Sequence, residues 1–245
     1  MQIHFISDLH LCADRPALTA VFERYLAGPA RAAARLYILG DLFEYWAGDD
    51  DLDDPLNTHV AGLLADLAES GCQVFFMPGN RDFLIGADFA ARARLQLLAE
   101  PARIELGNEA VLLCHGDSLC TDDLAYQAFR CQVRNPAWQT QFLGQPLAVR
   151  KQVIAGVRMK SEEAKSEKAA AIMDVNSEAV VALFREHAVS QLIHGHTHRP
   201  ADHQVDADGR TCQRLVLADW RDENGSAEGE VMIWADGKFS RQPLT

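Results

Sequence analysis

The sequence predicts an α/β fold with mixed sheet content. Short apolar runs alternate with helical periodicity in the first third of the chain, which is typical of parallel strands joined by helices. Hairpin signals then appear twice, which is typical of antiparallel strands. A long helical stretch without a convincing strand separates these two hairpin regions.

Three apolar runs near the N-terminus are predicted to be buried strands: Ile3–Ile6, Leu36–Leu39 and Val74–Met77. The segments Ala17–Ala34 and Asn57–Ser70 lie between them and carry apolar residues at helical spacing. A strand, helix, strand order favours parallel pairing with the helices on the sheet faces.

Two turn signals predict antiparallel strands. Gly107 and Asn108 separate two short apolar runs, and Asp236 and Gly237 do so near the C-terminus. The strands expected here are Arg103–Leu106, Ala110–Cys114, Arg214–Leu217, Glu230–Ala235 and Lys238–Arg241.

Residues 122–187 are predicted to be an inserted helical lid, with 1–121 and 188–245 forming the core. Six basic and three acidic residues lie between Arg150 and Lys168, whereas the whole chain has a net charge of −12. Interleaved apolar residues suit an anionic headgroup joined to hydrocarbon, or an anionic membrane surface. The alternative is a helical hairpin whose apolar stripe packs on itself.

Charge and composition exclude some classes of protein. The net charge of −12 argues against broad binding of nucleic acid. The six cysteines are scattered, so reduced thiols in a cytosolic protein are expected. The N-terminus is predicted to be a strand and not a signal peptide, and no apolar stretch is long enough to span a membrane. The acidic run Asp49–Asp54 is expected to be a solvated loop.

Metal-binding residue types follow five of the apolar runs. They occur in the motifs DLH at Asp8, GDLFE at Asp41, GNRD at Asn80, HGD at His115 and GHTH at His196. Ligands of open α/β sheets bind at the carboxyl ends of strands, so these motifs are expected to converge on a metal centre. Because residues i and i+2 of an extended segment point the same way, Asp8 and His10 should reach one site, as should His196 and His198.

This ordered set of motifs resembles the calcineurin-like metallophosphoesterases. The resemblance spans Asp8 to Pro200 and implies an αββα sandwich with a dinuclear metal site at its edge. It implies one metal ion on Asp8, His10, Asp41 and His198, and a second on Asp41, Asn80, His115 and His196. Two bridged divalent ions can activate water and stabilise a phosphoryl group in displacement. Mn²⁺, Fe²⁺ or Zn²⁺ suits such mixed ligands better than Ca²⁺.

Arg81 departs from the pattern of many members, which carry His after the Gly-Asn pair. A guanidinium cannot act as an acid at neutral pH, but it can hold phosphate oxygens. We therefore expect a leaving group that needs little protonation, such as the phosphate of a diphosphate linkage.

A narrower resemblance is to the bacterial diphosphatases that cleave UDP-2,3-diacylglucosamine in lipid A synthesis. It is carried by GNRDFL, HGDSLCTDDLAYQAFR, SEEAKSEK, AIMDVN and IHGHTHRPA. It implies hydrolysis to UMP and 2,3-diacylglucosamine 1-phosphate by attack on the α-phosphorus, two Mn²⁺ ions per chain, and a peripheral location on the cytoplasmic face of the inner membrane. No nucleic acid and no obligate protein partner are expected.

The narrower resemblance also implies substrate contacts. Its residues are Asn80, Arg81, Asp123, Ser161, Lys165, Lys168 and His196, with Tyr126 as a further candidate. Arg81 and His196 are expected to be catalytic, by stabilising developing charge. Relatives often carry an uncharged polar residue at the position of Lys165. His194 lies inside the apolar run and is expected to support the site, not to bind metal.

Two alternatives remain at this stage. The chain could be another phosphoesterase of this fold, acting on proteins or cyclic nucleotides, which Arg81 and the apolar, basic lid disfavour. It could also be a scaffold that has lost its metals, which the presence of all seven expected ligands disfavours.

Overall fold

The computed structural model describes residues 1–167, 174–223 and 226–245. Its first sheet contains β1 (Gln2–Ile6), β2 (Ala33–Leu39), β3 (Gln73–Met77), β4 (Gln96–Leu97), β10 (Arg221–Glu223), β11 (Ser226–Ala235) and β12 (Lys238–Leu244). The second contains β5 (Ala102–Leu106), β6 (Glu109–Leu113), β7 (Gln191–His194), β8 (Ala201–Ala207) and β9 (Arg210–Val216). The helices are α1 (Pro16–Ala27), α2 (Pro55–Glu69), α3 (Ala87–Ala93), α4 (Leu124–Val133), α5 (Pro136–Leu143), α6 (Leu147–Glu167) and α7 (Ser177–His187).

The first sheet has the strand order β10-β11-β1-β2-β3-β4, and β12 pairs with β11. Strands β1, β2 and β3 are parallel, as their sequence predicts, and the hairpin of β11 and β12 is antiparallel. Register places Phe5 beside Tyr37 and Tyr37 beside Phe75. Their rings stack with centroids 5.2 and 4.8 Å apart, so an aromatic row lines one face of this sheet.

The second sheet has the order β5-β6-β7-β9-β8. The hairpin of β5 and β6 at Gly107 is antiparallel, as predicted. The prediction that Arg214–Leu217 belongs to an antiparallel strand is only partly correct. Residues 214–216 lie at the end of β9, which is antiparallel to β8 but parallel to β7.

The two sheets pack face to face between helices, and the predicted αββα sandwich is confirmed. Between the sheets, Phe5 and Leu39 of the first meet Leu113 and Ile193 of the second. Helices α1, α2 and α3 cover the outer face of the first sheet. Helix α7 covers the outer face of the second through Val180 and Phe184. None of the helices in these described ranges is long and apolar enough to cross a membrane.

Helix α1 ends earlier than its sequence pattern suggests. The predicted helix 17–34 stops at Ala27, a 3₁₀ turn covers Pro29–Ala32, and β2 begins at Ala33. Pro29 has no N–H to continue the helix, and Gly28 before it has little helix preference.

The helices of the predicted insertion, 122–187, pack in two different places. Helix α7 lies against the second sheet, where Phe184 is fully buried with Leu192 and Cys212. The helices that stand over the site are therefore α4, α5 and α6. The predicted lid, 122–187, includes α7. The amphipathic pattern of α7 predicts a helix with one buried face, but it does not show which surface that face covers.

The acidic run Asp49–Asp54 is not merely a solvated loop, which corrects the prediction. Asp49 accepts hydrogen bonds from the backbone N–H of Gly86 and Phe89 at the start of α3, both at 3.0 Å. Asp54 caps α2. Two more residues of the run reach α6, in the pairs Asp50 with Arg150 and Asp51 with Lys151.

Candidate active site

The five motifs meet at one edge of the sandwich. Asp8 follows β1, Asp41 follows β2 and Asn80 follows β3, and these three strands are parallel. His115 follows β6 and His196 follows β7, which are parallel in the other sheet. The loops are joined directly, since Asp8 N–H donates to the Gly40 carbonyl at 3.1 Å and Gly195 N–H donates to the His115 carbonyl at 2.9 Å.

The alternating pairs reach the site for a different reason from the one predicted. They lie in loops beyond the strand ends, where five of the seven candidate ligands have positive φ: Asp8 (55°), His10 (50°), Asp41 (54°), His196 (67°) and His198 (54°). Non-glycine residues rarely adopt this left-handed conformation, which concentrates at functional sites. The direction of these side chains toward the site therefore results from repeated left-handed backbone conformations and not from the alternation of an extended strand.

Gly79 and Asp82 hold two of the loops together. A Cβ atom at Gly79 would collide with the backbone and carboxylate of Asp41, so no other residue fits there. The buried carboxylate of Asp82 accepts hydrogen bonds from Gly79 N–H at 2.8 Å and Leu42 N–H at 2.7 Å. The GNRD motif therefore carries a structural anchor, which the sequence analysis did not assign.

One group of candidate ligands surrounds Asp8. The Nε2 atoms of His10 and His198 lie 3.3 Å apart. His198 Nε2 is 3.6 Å from Asp8 Oδ1, and His10 Nε2 is 3.9 Å from Asp41 Oδ2. These are the four residues that the resemblance assigns to one metal ion.

The second group shares Asp41 with the first. His115 Nε2 lies 3.7 Å from Asp41 Oδ1 and 3.0 Å from Asn80 Oδ1. His196 Nδ1 lies 2.8 Å from the same Asn80 oxygen. Asp41 thus lies between two sets of donors, as a bridging ligand must.

These residues fit divalent metal ions. Asp8 Oδ1 is buried without a hydrogen-bond partner, an arrangement that is costly unless another group satisfies the oxygen. Three of the imidazoles have Nδ1 near an oxygen, although His10 Nδ1 makes no hydrogen bond, and this arrangement leaves Nε2 for a metal. The oxygens are those of the Leu39 carbonyl at 2.8 Å from His115, Glu44 at 3.4 Å from His10, and Asp219 at 3.2 Å from His198.

The charges of the cluster favour cations. Burial lowers the pKa of His10 and His196 to about 3, so both rings are neutral, which is the metal-binding form. Burial also disfavours charge on His198, but Asp219 and Asp8 outweigh it and raise its pKa to about 10. Burial, with Asp82 and Asp8 nearby, raises the pKa of Asp41 to about 7 despite the opposing effect of His115. The carboxylates therefore draw positive charge to this point.

His194 lies outside the cluster. Its Nδ1 is 2.9 Å from the Gly195 carbonyl and its Nε2 is 3.1 Å from Arg214 Nη1. Both ring nitrogens are therefore engaged away from the carboxylates. This agrees with the supporting role expected from the sequence.

A cavity of about 900 Å³ opens above the cluster. Asn80, Arg81 and His196 line its polar floor, and Asp123 and Tyr126 line it at the start of α4. The lid contributes an apolar wall, formed by Trp138, Phe142, Val153, Ile154 and Val157. Since this apolar stripe lines the cavity, the alternative of a hairpin packed only on itself does not describe the lid.

Glu44 is a site residue that the sequence analysis missed. Its carboxylate pairs with Arg15 at 2.6 Å, Arg158 at 2.8 Å and Arg81 at 3.5 Å. Glu44 was visible in the GDLFE motif, but nothing in the local sequence shows that three guanidinium groups converge on it. Arg158 comes from α6, so this contact also ties the lid to the core.

The basic residues of the lid divide by position. Arg150 is buried and bonds the Gln145 carbonyl at 2.9 Å, and Lys151 pairs with Asp51 at 2.7 Å. Arg150 anchors the lid, and Lys151 adds a weaker, partly exposed contact. Neither faces a ligand, contrary to the expectation for the lid's basic residues. Ser161 and Lys165 lie on α6, but their side chains fall outside the described part of the chain, as does Lys168 altogether.

Comparison with known proteins identifies the family. The model of the calcineurin-like phosphoesterases matches residues 1–200. A UDP-2,3-diacylglucosamine hydrolase from Aromatoleum aromaticum is 61% identical over 91% of each chain. Hydrolases of the same name from Escherichia coli O81 and Shigella dysenteriae serotype 1 are 53% and 52% identical, over 91% of this chain and 92% of theirs. The chain therefore belongs to the calcineurin-like phosphoesterases, in the same family as these hydrolases.

Proposed function

We propose that this protein hydrolyses UDP-2,3-diacylglucosamine to UMP and 2,3-diacylglucosamine 1-phosphate. The observation that carries the proposal is the cavity, whose lining combines candidate metal ligands and the Arg81 guanidinium with a group of apolar side chains from the lid. A diphosphate fits the first and acyl chains fit the second. The identity of 61% to a hydrolase of that name supports the same substrate.

We also propose two metal ions per chain, with Mn²⁺ as the metal. Asp8, His10, Asp41 and His198 would hold one, and Asp41, Asn80, His115 and His196 the other. Such a pair supplies Lewis acidity and an activated water for phosphoryl transfer.

The side chains around the cluster have separate tasks. Arg81 lies at the cavity floor 3.5 Å from Glu44, so its guanidinium is positioned before substrate arrives. It binds non-bridging phosphate oxygens and stabilises charge without giving up a proton. Asn80 and His196 contribute to the same charge stabilisation, and Asp123, Ser161, Lys165 and Lys168 are proposed to hold the sugar and phosphates.

A direct assay tests the substrate. Purified protein is depleted of metal with a chelator, reloaded with Mn²⁺ and given UDP-2,3-diacylglucosamine or a UDP-sugar without acyl chains. We expect fast release of UMP only from the acylated compound, and none from Asp41→Ala or His115→Ala. Equal rates on both compounds would remove the acyl role of the apolar wall, and preferred hydrolysis of phosphoproteins or cyclic nucleotides would replace the proposal.

The point of attack is proposed to be the α-phosphorus, next to uridine. Water adds there, the bond from this phosphorus to the bridging oxygen breaks, and diacylglucosamine 1-phosphate leaves. Because that phosphate is a weak base, it can leave without being protonated. Arg81, which cannot donate a proton, is therefore compatible with the reaction. In ¹⁸O-labelled water the label should enter UMP, whereas label in the lipid phosphate would reject this assignment.

The protein is further proposed to lie on the cytoplasmic face of the inner membrane. Support comes from apolar side chains exposed on the lid helices, among them Leu124 (77%) and Met159 (65%). We expect wild-type protein to co-sediment with anionic phospholipid vesicles, and the double variant Leu124→Glu, Met159→Glu to bind them several-fold more weakly. Undiminished binding by the double variant would place the contact elsewhere.

A further inference from the structure

Helix α4 presents three long side chains on one face. Tyr126 and Arg130 lie four residues apart, and Arg134 follows after four more at the end of the helix. Side chains at this spacing are neighbours on a helix surface. All three reach loops that carry candidate metal ligands.

Arg130 and Tyr126 support the loop of His115. Arg130 Nε donates to Asp117 Oδ2 at 2.9 Å, and Tyr126 Oη donates to the same oxygen at 2.6 Å. Arg130 Nη2 also binds Glu100 at 2.8 Å, and the other oxygen of Glu100 accepts the backbone N–H of His115 at 2.8 Å. Asp117 is fully buried, and Arg130 is the guanidinium that pairs directly with its charge.

Arg134 supports the loop of Asn80. Its Nη2 donates to the carbonyls of Pro78 at 3.2 Å and Gly79 at 2.9 Å, the two residues before Asn80. The guanidinium also lies over the Phe83 ring, 5.5 Å from its centroid. Arg134 of the lid thus holds two consecutive peptide groups, Pro78-Gly79 and Gly79-Asn80, through their carbonyl oxygens.

The third ligand of this group also contacts α4. The ring of Tyr126 stacks on His196, with centroids 6.1 Å apart and planes inclined by 28°. In the other group, Asp219 of the core orients His198, and His10 Nδ1 lies 3.4 Å from Glu44, also of the core. The two halves of the cluster therefore depend on different supports.

We propose that Arg130 and Arg134 are positioning residues that set the affinity of the half-site Asn80, His115 and His196 for one divalent ion, independently of the half-site Asp8, His10 and His198. The inference rests on the two ions of the proposed function. Residues that orient metal ligands change metal affinity by about 10- to 100-fold when they are removed. By linkage, an ion in that half-site stabilises α4 in return.

Metal binding tests the proposal without an activity assay. Arg130→Met and Arg134→Met keep the apolar stem and remove the hydrogen bonds, and Arg185→Met, which breaks an exposed ion pair with Asp208, is the matched control. By equilibrium dialysis with Mn²⁺, wild type and the control should bind two ions per chain. The two test variants should bind one ion within about twofold of wild-type affinity and the other about 10- to 100-fold more weakly. The retained ion shows that the variants are folded.

Two further measurements locate the effect. The exchange-coupled electron paramagnetic resonance signal of a Mn²⁺ pair should give way to that of a single ion in Arg134→Met, and Arg134→Lys should restore part of it. Arg134→Met should weaken metal binding no further in an Asn80→Ala background, because both changes act on one half-site. Equal weakening of both ions, unchanged binding, or additive effects with Asn80→Ala would overturn the inference. One ion per wild-type chain would instead reject the two-metal proposal, and this inference with it.

Discussion

At the scale of single residues, much of the site is held by carboxylates that bind other protein groups and are not themselves candidate metal ligands. Asp82 binds the backbone of two loops, Asp219 orients His198, and Glu44 gathers three arginines. Burial raises the pKa of Asp82, and its hydrogen bonds from backbone N–H groups oppose that effect. The motifs bring the candidate ligands to one edge of the sandwich, and these carboxylates fix the loops and side chains around them.

Asp82→Asn should disrupt the loop of Asp41. An amide has one acceptor oxygen, and its NH₂ group would face backbone N–H donors, leaving at least one of them unsatisfied at a cost of about 1–3 kcal/mol. We expect a lower free energy of unfolding in urea and weaker Mn²⁺ binding. Asp88→Asn, on the exposed surface of α3, is the control, and equal effects of both substitutions would contradict the role of Asp82.

His4 gives the molecule a pH dependence remote from the metal cluster. Burial lowers its pKa to about 4, and its ring lies 3.0 Å from the Tyr25 hydroxyl. In the unfolded chain His4 takes up a proton below about pH 6.5, whereas in the folded chain it does so only near pH 4. The free energy of unfolding therefore falls as the pH drops from about 6.5 to about 4. His4→Gln should make the decline shallower by up to about 1.4 kcal/mol per pH unit in urea titrations. Identical slopes would refute the assignment.

The seven candidate ligands could be predicted from the sequence because each follows an apolar run within a short motif. Glu44, Asp82 and Asp117 could not be assigned in this way. Most of their partners lie on other elements, as in the contact of Glu44 with Arg158 and of Asp117 with Arg130, and no local pattern encodes such contacts. Their residue type is also common in turns, where an acidic side chain often caps a helix.

At the scale of elements, the lid is attached at its base as well as over the cavity. Arg150 near the start of α6 is buried and binds the carbonyls of Ala47 and Gln145 and the carboxylate of Asp50. Arg158, two turns further along, reaches Glu44. The helical periodicity predicted several helices in this stretch, but the sequence did not show which of the basic residues on α6 face inward.

Arg150→Met should loosen this attachment. It leaves two buried carbonyls without their donor, which costs about 1–3 kcal/mol. We expect faster proteolysis within α4 to α6 and a larger rise in KM than fall in kcat, because the wall of the cavity moves while the metal cluster stays. Lys151→Met removes only a partly exposed ion pair worth about 0–1 kcal/mol and should change the proteolysis rate little. Matching rates for the two variants would argue against the anchor.

At the scale of the whole molecule, the site depends on how the two sheets meet, because each contributes ligands. Arg241 of β12 joins them, since it pairs with Glu230 of its own sheet at 2.8 Å and with Asp202 of the other at 2.6 Å. It also donates to the Val216 carbonyl at 2.9 Å. The alternation of strands and helices predicted the parallel strands, the turn signals predicted the hairpins, and only the family resemblance implied two packed sheets. A bond between sheets depends on tertiary packing that local periodicity does not contain.

Arg241→Met should lower the stability of the entire sandwich. Loss of several charge-assisted hydrogen bonds across the sheets costs about 2–4 kcal/mol, and unfolding should remain one cooperative transition in urea. Arg185→Met, which breaks the exposed pair with Asp208, should cost no more than about 1 kcal/mol. A comparable loss in both variants would show that Arg241 is an ordinary surface ion pair.

The left-handed backbone at five ligand positions places a stability–activity trade-off inside the site. Each such residue costs up to about 1–2 kcal/mol relative to a relaxed conformation, and glycine would relieve the cost at every one of them. Selection for stability alone would therefore favour glycine at these positions, and glycine there would remove the candidate metal ligands. With Asp and His at all five positions, the chain has a less stable backbone where its metal-binding chemistry requires these side chains.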